Sequence, residues 1–365
     1  MRIEGAANER VRSAMLPRAT PRAFRRHLTL LGCAMALAFG AATAEAEKRA
    51  VIVGINSYAK KPLRGCVRDS SKMTTVVQGG FGFQDVTQIT DLDATRDNIL
   101  RALGGVLSRS RQGDLVVFYF SGHGTLFPDE LSAELDEAVA LPANPALGYP
   151  QGRYDSAICP VDVDRRPSTP RKWGNLILDD EIYRIVSAIT RKGALAFVIS
   201  DSCNSGSLAR DLDVESRPKF LPLAEILPAV RPLGSRALPT TATGNGDRGL
   251  NGLYLSLTSS RDSQASKDSV SGGLFTTALV ETLVESKGDI TWMDLYDRLR
   301  SAVVTRTRGQ QEPQLDTRFF RGSLDFPAFS VPAADSYPRP RTPCGCSFES
   351  RTPAASHFKT RSSAS

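Results

Sequence analysis

Apolar runs with the length of strands alternate with amphipathic stretches with the length of helices from residue 50 onwards. The run at 115–120, LVVFYF, is apolar throughout, which is typical of a strand covered on both faces of a parallel sheet. Ile99, Leu103 and Val106 share one helical face, as a helix that covers a sheet requires. We predict strands at 50–55, 86–90, 115–120, 194–199 and 253–257, and helices at 66–77, 94–110, 180–189, 275–284 and 292–305. The alternation predicts an α/β fold with a mostly parallel central sheet flanked by helices.

The first 46 residues have the organisation of an export signal. A basic segment precedes an apolar run at 28–42, and Ala44-Glu45-Ala46 fits the small-residue pattern of a signal cleavage site. The apolar run is too short to cross a bilayer comfortably. We therefore predict that residues 1–46 are a signal peptide and that the protein is exported, to the periplasm or out of the cell, with no stable membrane span. An uncleaved leader or an inner-membrane anchor is the alternative.

The rest of the chain divides into a folded domain and a tail. Residues 47–328 carry the alternating pattern and are predicted to form one domain. Residues 329–365 are rich in Pro, Ser, Thr and Arg, which predicts disorder. Within the domain, a stretch at about 210–250 combines Pro, Gly, Arg and Thr, and this composition predicts a flexible linker.

Charge, cysteines and histidines narrow the chemistry. The net charge is +7, but we expect no nucleic-acid partner, because Arg and Lys are thinly spread and form no basic helix. The six cysteines include no C-x-x-C pair, which argues against a zinc site, while a disulfide between Cys344 and Cys346 stays open in an exported chain. Of the three histidines, His27 and His357 lie in the terminal segments, so His123 is the one available to the domain.

Two reactive side chains follow the ends of predicted strands. His123 lies in the sequence SGHG after the strand 115–120, and Cys203 lies in DSCNSG after the strand 194–199. The carboxyl ends of parallel strands meet at one edge of a sheet, where sites commonly form. A thiol beside an imidazole, with backbone N–H groups in glycine-containing turns, is what thiol acyl transfer requires. A buried apolar cysteine and a structural histidine are the alternatives.

The motifs YFSGHG around His123 and DSCNSG around Cys203 resemble the two catalytic motifs of metacaspases and their bacterial relatives, the orthocaspases, in the caspase-like peptidase superfamily (peptidase C14). The likeness extends over roughly residues 48–326. It implies the caspase–hemoglobinase fold and a peptidase in which Cys203 is the nucleophile and His123 the acid/base partner. The N–H groups of Gly124 and Cys203 would then stabilise the oxyanion. The sequence departs from the family at Asn204, where metacaspases usually have histidine.

Two carboxylates predict the class of substrate. Asp201 precedes Cys203 by two residues, and the resemblance places Asp69, Cys66 and Ser121 with it in the pocket for the P1 side chain. Paired carboxylates favour an ammonium or guanidinium group. We therefore expect peptide or protein substrates that are cleaved after Arg or Lys. The alternatives are a solvated helix position for Asp69 and a turn cap for Asp201.

A second acidic group predicts a cation site. The resemblance matches Asp179, Asp180 and Asp155 to calcium-binding residues of metacaspases, and Asp211 lies one residue from the family spacing. Carboxylates from separate loops suit Ca²⁺. No cofactor is expected for the chemistry itself, and Ca²⁺ is expected only as an activator. The alternative is that Asp179 and Asp180 charge the N-terminus of a helix.

The leading hypothesis is an exported, monomeric cysteine endopeptidase that acts through a thioester acyl-enzyme. A corollary is self-processing in the basic linker, after Arg210, Arg217 or Lys219. Two alternatives stay open: a non-catalytic interaction module with the caspase-like fold, and a thiol esterase or amidase that uses the same pair. The intact Cys203 and His123 favour an enzyme over the module.

Overall fold

The computed structural model describes residues 46–128, 139–141, 152–165, 174–203, 217–226, 252–261 and 264–330. The strands are β1 Lys48–Gly54, β2 Asp85–Thr90, β3 Leu115–Ser121, β4 Gly124–Pro128, β5 Val139–Leu141, β6 Gly152–Ile158, β7 Ile177–Leu178, β8 Leu195–Asp201, β9 Arg217–Pro218, β10 Tyr254–Thr258, β11 Lys267–Asp268 and β12 Gln314–Asp316. The helices are α1 Cys66–Phe81, α2 Arg96–Arg109, α3 Asp179–Arg191, α4 Leu223–Ile226, α5 Leu274–Glu285 and α6 Trp292–Arg306, with a 3₁₀ turn at Asp91–Asp93. Each strand and helix expected from the hydrophobic pattern is present, with small differences at the ends.

The central sheet has the strand order β12-β10-β8-β3-β1-β2. Neighbouring strands are parallel except for β12, which runs antiparallel to β10. The α/β fold with a mostly parallel sheet is therefore confirmed. At the middle of the sheet β3 and β8 are paired in a register that sets Ser121 opposite Asp201. The segments that follow these two strands consequently leave the sheet side by side.

A separate apolar core covers each face of the sheet. On one face, α2 packs Ile99, Leu103 and Val106 into the core, which confirms the predicted helical face. On the other face, the Trp292 ring contacts the rings of Phe197 and Phe329, at centroid separations of 4.3 and 5.0 Å. Phe329 is fully buried although it is the first residue of the predicted tail, because these aromatic contacts hold it in the core. The folded part of the chain thus extends slightly past residue 328.

Two smaller sheets lie outside the central one. Strands β4, β5, β6 and β7 form an antiparallel sheet, and β9 pairs with β11. Strand β9 and helix α4 belong to 217–226, the described part of the stretch predicted to be a flexible linker. The predicted signal peptide, except for Ala46, and the part of the predicted tail beyond 330 lie outside the described residues. None of the described helices is long and apolar enough to cross a membrane.

Candidate active site

His123 lies in the turn between β3 and β4 and is almost fully buried. Its backbone N–H donates to the Tyr58 hydroxyl oxygen at 2.9 Å, and the Tyr58 ring packs on the imidazole at a centroid separation of 4.6 Å. The imidazole Nε2 lies 2.7 Å from the carbonyl oxygen of Lys61. Since a carbonyl only accepts, Nε2 carries the proton and Nδ1 is left as the basic nitrogen. Burial lowers the pKa of His123 to about 4.

Cys203 lies two residues beyond the end of β8, and its side chain is fully buried. The thiol donates to the carbonyl oxygen of Ser266 at 3.4 Å and accepts from the Ser266 N–H. Burial raises the pKa of Cys203 to about 12, so the thiol is protonated in this environment. The Cys203 sulfur therefore faces Ser266, a residue that the sequence did not point to.

The backbone N–H groups of Gly124 and Cys203 converge on a single oxygen atom. Both donate to the carbonyl oxygen of Lys219, at 2.9 and 3.1 Å. These are the two N–H groups expected to stabilise an oxyanion. Because both donors reach one atom, the turn after β3 and the turn after β8 meet, as the strand ends predict.

The side chain of Lys219 enters a buried acidic pocket. Its ammonium nitrogen lies 2.8 Å from an Asp201 oxygen and 3.2 Å from an Asp69 oxygen, and it donates to the Ser121 hydroxyl at 2.9 Å. Lys219, Asp69 and Asp201 are all fully buried. The thiol of Cys66, also buried, lies 3.8 Å from Asp268. The structure thus gathers the residues predicted for the P1 pocket around a lysine of the same chain.

Hydrogen bonds hold the two pocket carboxylates in place. Asp69 accepts from the Gly273 N–H at 2.9 and 3.0 Å and from the Ser121 hydroxyl at 3.0 Å. Asp201 accepts from the hydroxyls of Ser266 and Thr276, each at 2.6 Å. Besides these donors, an oxygen of each carboxylate also lies near the Lys219 ammonium group.

The charged groups in the pocket shift one another's pKa values. Burial raises the pKa of Asp69 to about 6, and the attraction of Lys219 opposes that rise. Burial, the largest single influence, lowers the pKa of the Lys219 ammonium group, but the combined attraction of the surrounding acidic groups, Asp201 foremost, outweighs burial and holds that pKa well above its ordinary value. At neutral pH the pocket therefore holds an ammonium ion between carboxylates.

Comparison with known proteins matches residues 47–323 to the model of the family described as the caspase domain, peptidase C14. The chain belongs to the caspase-domain family. A relative, metacaspase-1A of Aspergillus fumigatus, is 33% identical over 170 residues, which are 44% of this chain and 35% of the relative. Metacaspase-1 of Botryotinia fuckeliana is 30% identical over 185 residues, 48% of this chain and 38% of the relative. The match therefore covers little more than a third of these relatives' length.

A solved structure shares the fold of this chain. A protein from Geobacter sulfurreducens aligns with a TM-score of 0.54 at 21% identity, over 78% of this chain and 99% of that one. At this level of identity the likeness concerns the fold alone.

Several residues of the caspase-domain site were not predicted to belong to it. Asp268 accepts from the Arg64 N–H at 2.7 Å and the Gly65 N–H at 3.1 Å beneath the pocket. Ser266 and Thr276 orient Asp201. No local pattern marks these residues, because they come to the site from segments distant in the chain.

The residues predicted to bind calcium lie apart from the acidic pocket. Asp179 begins α3, and Asp179 and Asp180 line a cavity of about 200 Å³ together with aromatic residues such as Tyr183. Asp155 lies on β6, and Asp211 falls outside the described residues. Among the described residues, the cluster with converging metal-ligand atoms is instead Cys66, Asp69 and Asp268, beside the Lys219 pocket. Strands β6 and β7 are paired with Ala157 opposite Leu178, so Asp155 and the pair Asp179 and Asp180 belong to neighbouring segments of the smaller sheet. The four-residue calcium site stays a prediction.

Proposed function

We propose that this caspase domain is a cysteine endopeptidase with Cys203 as nucleophile and His123 as acid/base. The observation that carries the proposal is the convergence of the Gly124 and Cys203 N–H groups on one peptide carbonyl oxygen. Donors in that arrangement stabilise the negative charge that the oxygen acquires when a nucleophile attacks the carbonyl carbon. Family membership supports the same chemistry.

The reaction uses the protein's own groups in two steps. Nδ1 of His123 accepts the thiol proton while Nε2 donates its hydrogen bond to the Lys61 backbone carbonyl. The Cys203 sulfur then attacks the substrate carbonyl carbon. The imidazolium then protonates the leaving amine, and a thioester remains. Water hydrolyses the thioester with His123 as the base, which restores the thiol. No cofactor takes part in either step.

We further propose that the substrate side chain at P1 is Arg or Lys. The support is the pair of buried carboxylates, Asp69 and Asp201, around an ammonium ion. A guanidinium group carries the same charge and can bond a carboxylate through two N–H groups. An acidic P1 residue would meet two like charges in a buried pocket, which is strongly unfavourable.

Hydrolysis of fluorogenic peptides ending in Arg, Lys or Asp tests both statements. We expect the Arg and Lys peptides to be cleaved and Cys203→Ala to lower kcat/KM by at least about a thousandfold. Cys159→Ala is the matched control, because Cys159 is also a buried free thiol but its side chain takes no part in the proposed reaction. Equal rates for wild type and Cys203→Ala contradict the peptidase, and preferred cleavage after Asp contradicts the P1 preference.

Self-processing is proposed to occur after Lys219. Of the three basic residues considered in the linker, Lys219 has its carbonyl oxygen at the oxyanion donors and its ammonium group in the acidic pocket. Arg217 instead donates to the Pro62 carbonyl, and Arg210 lies outside the described residues. Wild-type protein should yield a fragment that begins at Phe220 by N-terminal sequencing, while Cys203→Ala stays intact. A wild-type chain cut elsewhere overturns the assignment of this bond.

Activation by Ca²⁺ also belongs to the proposal. Its support is the family resemblance together with Asp179 and Asp180 at the start of α3 beside the cavity. Calorimetric titration of Cys203→Ala with CaCl₂ should give heat that the Asp180→Asn variant loses. An unchanged titration excludes Asp180 as a ligand.

Export and the monomeric state are the remaining proposals. The support for export is the signal-like sequence of residues 1–46, and it predicts a mature N-terminus near Glu47 in the exported fraction. The support for a monomer is the family resemblance, and light scattering should give the mass of one chain. A mature protein that retains residues 1–46, or a dimer mass, contradicts the respective proposal.

A further inference from the structure

The hydroxyl oxygen of Tyr58 lies inside the backbone ladder beside His123. Strands β4 and β6 are antiparallel with Gly124 opposite Ile158, so His123 and Cys159 form the next opposite pair. One bond of this pair is direct, because the Cys159 N–H donates to the His123 carbonyl at 2.9 Å. The other passes through the tyrosine: the His123 N–H donates to the hydroxyl at 2.9 Å, and the hydroxyl donates to the Cys159 carbonyl at 2.8 Å. Opposite residues of an antiparallel pair otherwise exchange both bonds directly, so Tyr58 holds this pair apart.

The loop that carries Tyr58 also contacts the imidazole of His123. The Tyr58 ring packs on the imidazole with an angle of 51° between the two planes. Lys61 has a φ of 51°, in the left-handed region that lysine rarely adopts, and its carbonyl accepts from Nε2 at 2.7 Å. The Asn56 carbonyl closes the loop, because it accepts from the N–H groups of Tyr58 and Leu63 at 2.9 and 3.0 Å. One short, closed loop therefore contacts both the backbone and the ring of His123.

Gly122 leaves the space that the Tyr58 hydroxyl occupies. A Cβ atom at this position would lie 2.5 Å from the hydroxyl oxygen and 2.8 Å from the end of the Phe120 ring. The backbone of Gly122 is not left-handed, so its conformation alone does not require glycine. The glycine that precedes His123 is therefore needed for the close approach of Tyr58.

We propose that Tyr58 is a positioning residue, whose hydroxyl holds His123 in the orientation from which Nδ1 reaches the Cys203 thiol. The inference deepens the proposed peptidase function and rests on it. Burial raises the pKa of the Tyr58 hydroxyl well above its ordinary value, so the hydroxyl stays protonated and keeps both of its hydrogen bonds at neutral pH. Tyr58 acts through His123 and has no step of its own in the reaction.

Without the hydroxyl, the His123 N–H and the Cys159 carbonyl lose their shared partner. Buried backbone groups rarely stay unpaired, so the two groups should approach each other and close the ladder directly. That shift moves the imidazole relative to Cys203 and to the Lys61 carbonyl. Proton transfer depends on the distance and orientation of the imidazole and the thiol, and a displacement of about 1 Å lowers a rate by up to about a hundredfold.

Tyr58→Phe tests the proposal, because phenylalanine keeps the ring beside the imidazole and removes the oxygen. The measurement is kcat for an Arg-ended fluorogenic peptide, per active site titrated with an arginyl chloromethylketone. We expect kcat to fall by more than about tenfold, with KM within about twofold of wild type, because the hydroxyl bonds the backbone of His123 and Cys159. Tyr296→Phe is the matched control and should keep wild-type kcat, since its hydroxyl also donates to a backbone carbonyl, that of Pro313 at 3.3 Å.

Gly122→Ala makes the same test from the other side, because the tyrosine stays and the methyl group displaces its hydroxyl. We expect a similar fall in kcat. In the Tyr58→Phe background the methyl group no longer meets an oxygen, while its contact with Phe120 is the same in both backgrounds. The double variant should therefore be more than about fivefold more active than the product of the two single effects predicts.

The outcomes separate this inference from the function on which it rests. A fall in kcat at constant KM, together with a double variant more active than that product, supports the positioning role. Wild-type kcat in Tyr58→Phe, a rise in KM alone, or single effects that simply multiply overturns it, while the peptidase stands. If Tyr58→Phe does not fold, Gly122→Ala decides, and wild-type kcat in that variant overturns the role. Equal peptide hydrolysis by wild type and Cys203→Ala overturns the peptidase, and the positioning role with it.

Discussion

At the scale of single residues, the pocket depends on a balance between buried charges. Asp69 and Asp201 lie too deep to be solvated, so each needs donors or a cation to stay ionised. Backbone and hydroxyl groups donate hydrogen bonds to the two carboxylates, and the Lys219 ammonium group provides the cation. The same requirement underlies the proposed preference for a basic P1 side chain.

The affinity of the open pocket for a cation should depend on pH. Asp69 has a pKa of about 6 while Lys219 is present, and Lys219 lowers that value, so the pKa is higher when the pocket is empty. A cation binds the ionised carboxylate, so affinity is greatest above the pKa of the empty pocket. It should fall as the pH decreases and level off below about 6, the pKa of the occupied pocket.

Benzamidine affinity of Cys203→Ala/Lys219→Gln, measured across this pH range, checks the prediction. Adding Asp69→Asn should weaken binding and flatten its dependence on pH. An affinity that rises as the pH decreases has the wrong sign and contradicts the role of Asp69.

At the scale of elements, the start of α5 forms one wall of the pocket. Gly273 is the residue before this helix, and its N–H bonds Asp69. A Cβ atom placed there would lie 2.4 Å from an Asp201 oxygen and 2.6 Å from the Lys219 nitrogen. The pocket thus has room for a cation because this position has no side chain.

Gly273→Ala should therefore abolish cation binding in the Cys203→Ala/Lys219→Gln background, because the methyl group occupies the space of the ammonium ion. Gly80→Ala is the matched control, since a Cβ at this position of α1 has no atom within 4 Å. The control should keep its affinity and gain up to about 1 kcal/mol in the free energy of unfolding. Calorimetry and urea unfolding measure the two effects. Unchanged binding by Gly273→Ala contradicts the assigned pocket.

At the scale of the whole molecule, a cut after Lys219 divides the central sheet between two pieces. The first piece contains β1 to β8 and the second contains β10 to β12 with α5 and α6. Strands β8 and β10 are paired from Ala196 and Tyr254 to Ser200 and Thr258. Both pieces also contribute to each apolar core, so their separation would expose both interiors to water.

The two pieces should consequently stay together after self-processing. Under denaturing electrophoresis the cut wild type should give two bands, while size-exclusion chromatography should give one peak at the position of intact Cys203→Ala. The physical reason is the apolar area buried between the pieces, whose exposure costs far more than the chain entropy gained. Separate peaks without denaturant contradict the prediction.

The fold was largely predictable because its signals are local. Long apolar runs mark the parallel strands, and helical spacing marks the residues of α2 that cover the sheet. It was also predictable that the turns with His123 and Cys203 leave the sheet side by side, because neighbouring parallel strands end at the same edge. The ends of helices were less certain, as α1 continues beyond the predicted residue 77 to Phe81.

By itself the sequence determined the α/β order and the edge of the sheet where the candidate site lies, and it pointed to Cys203 and His123 as the candidate pair, since periodicity and strand ends are properties of short segments. Only the tertiary structure decided that Lys219 fills the acidic pocket and that Ser266 and Thr276 orient Asp201. Those contacts join segments far apart in the chain. They depend on how the two cores pack, and no periodic pattern in the sequence records that packing.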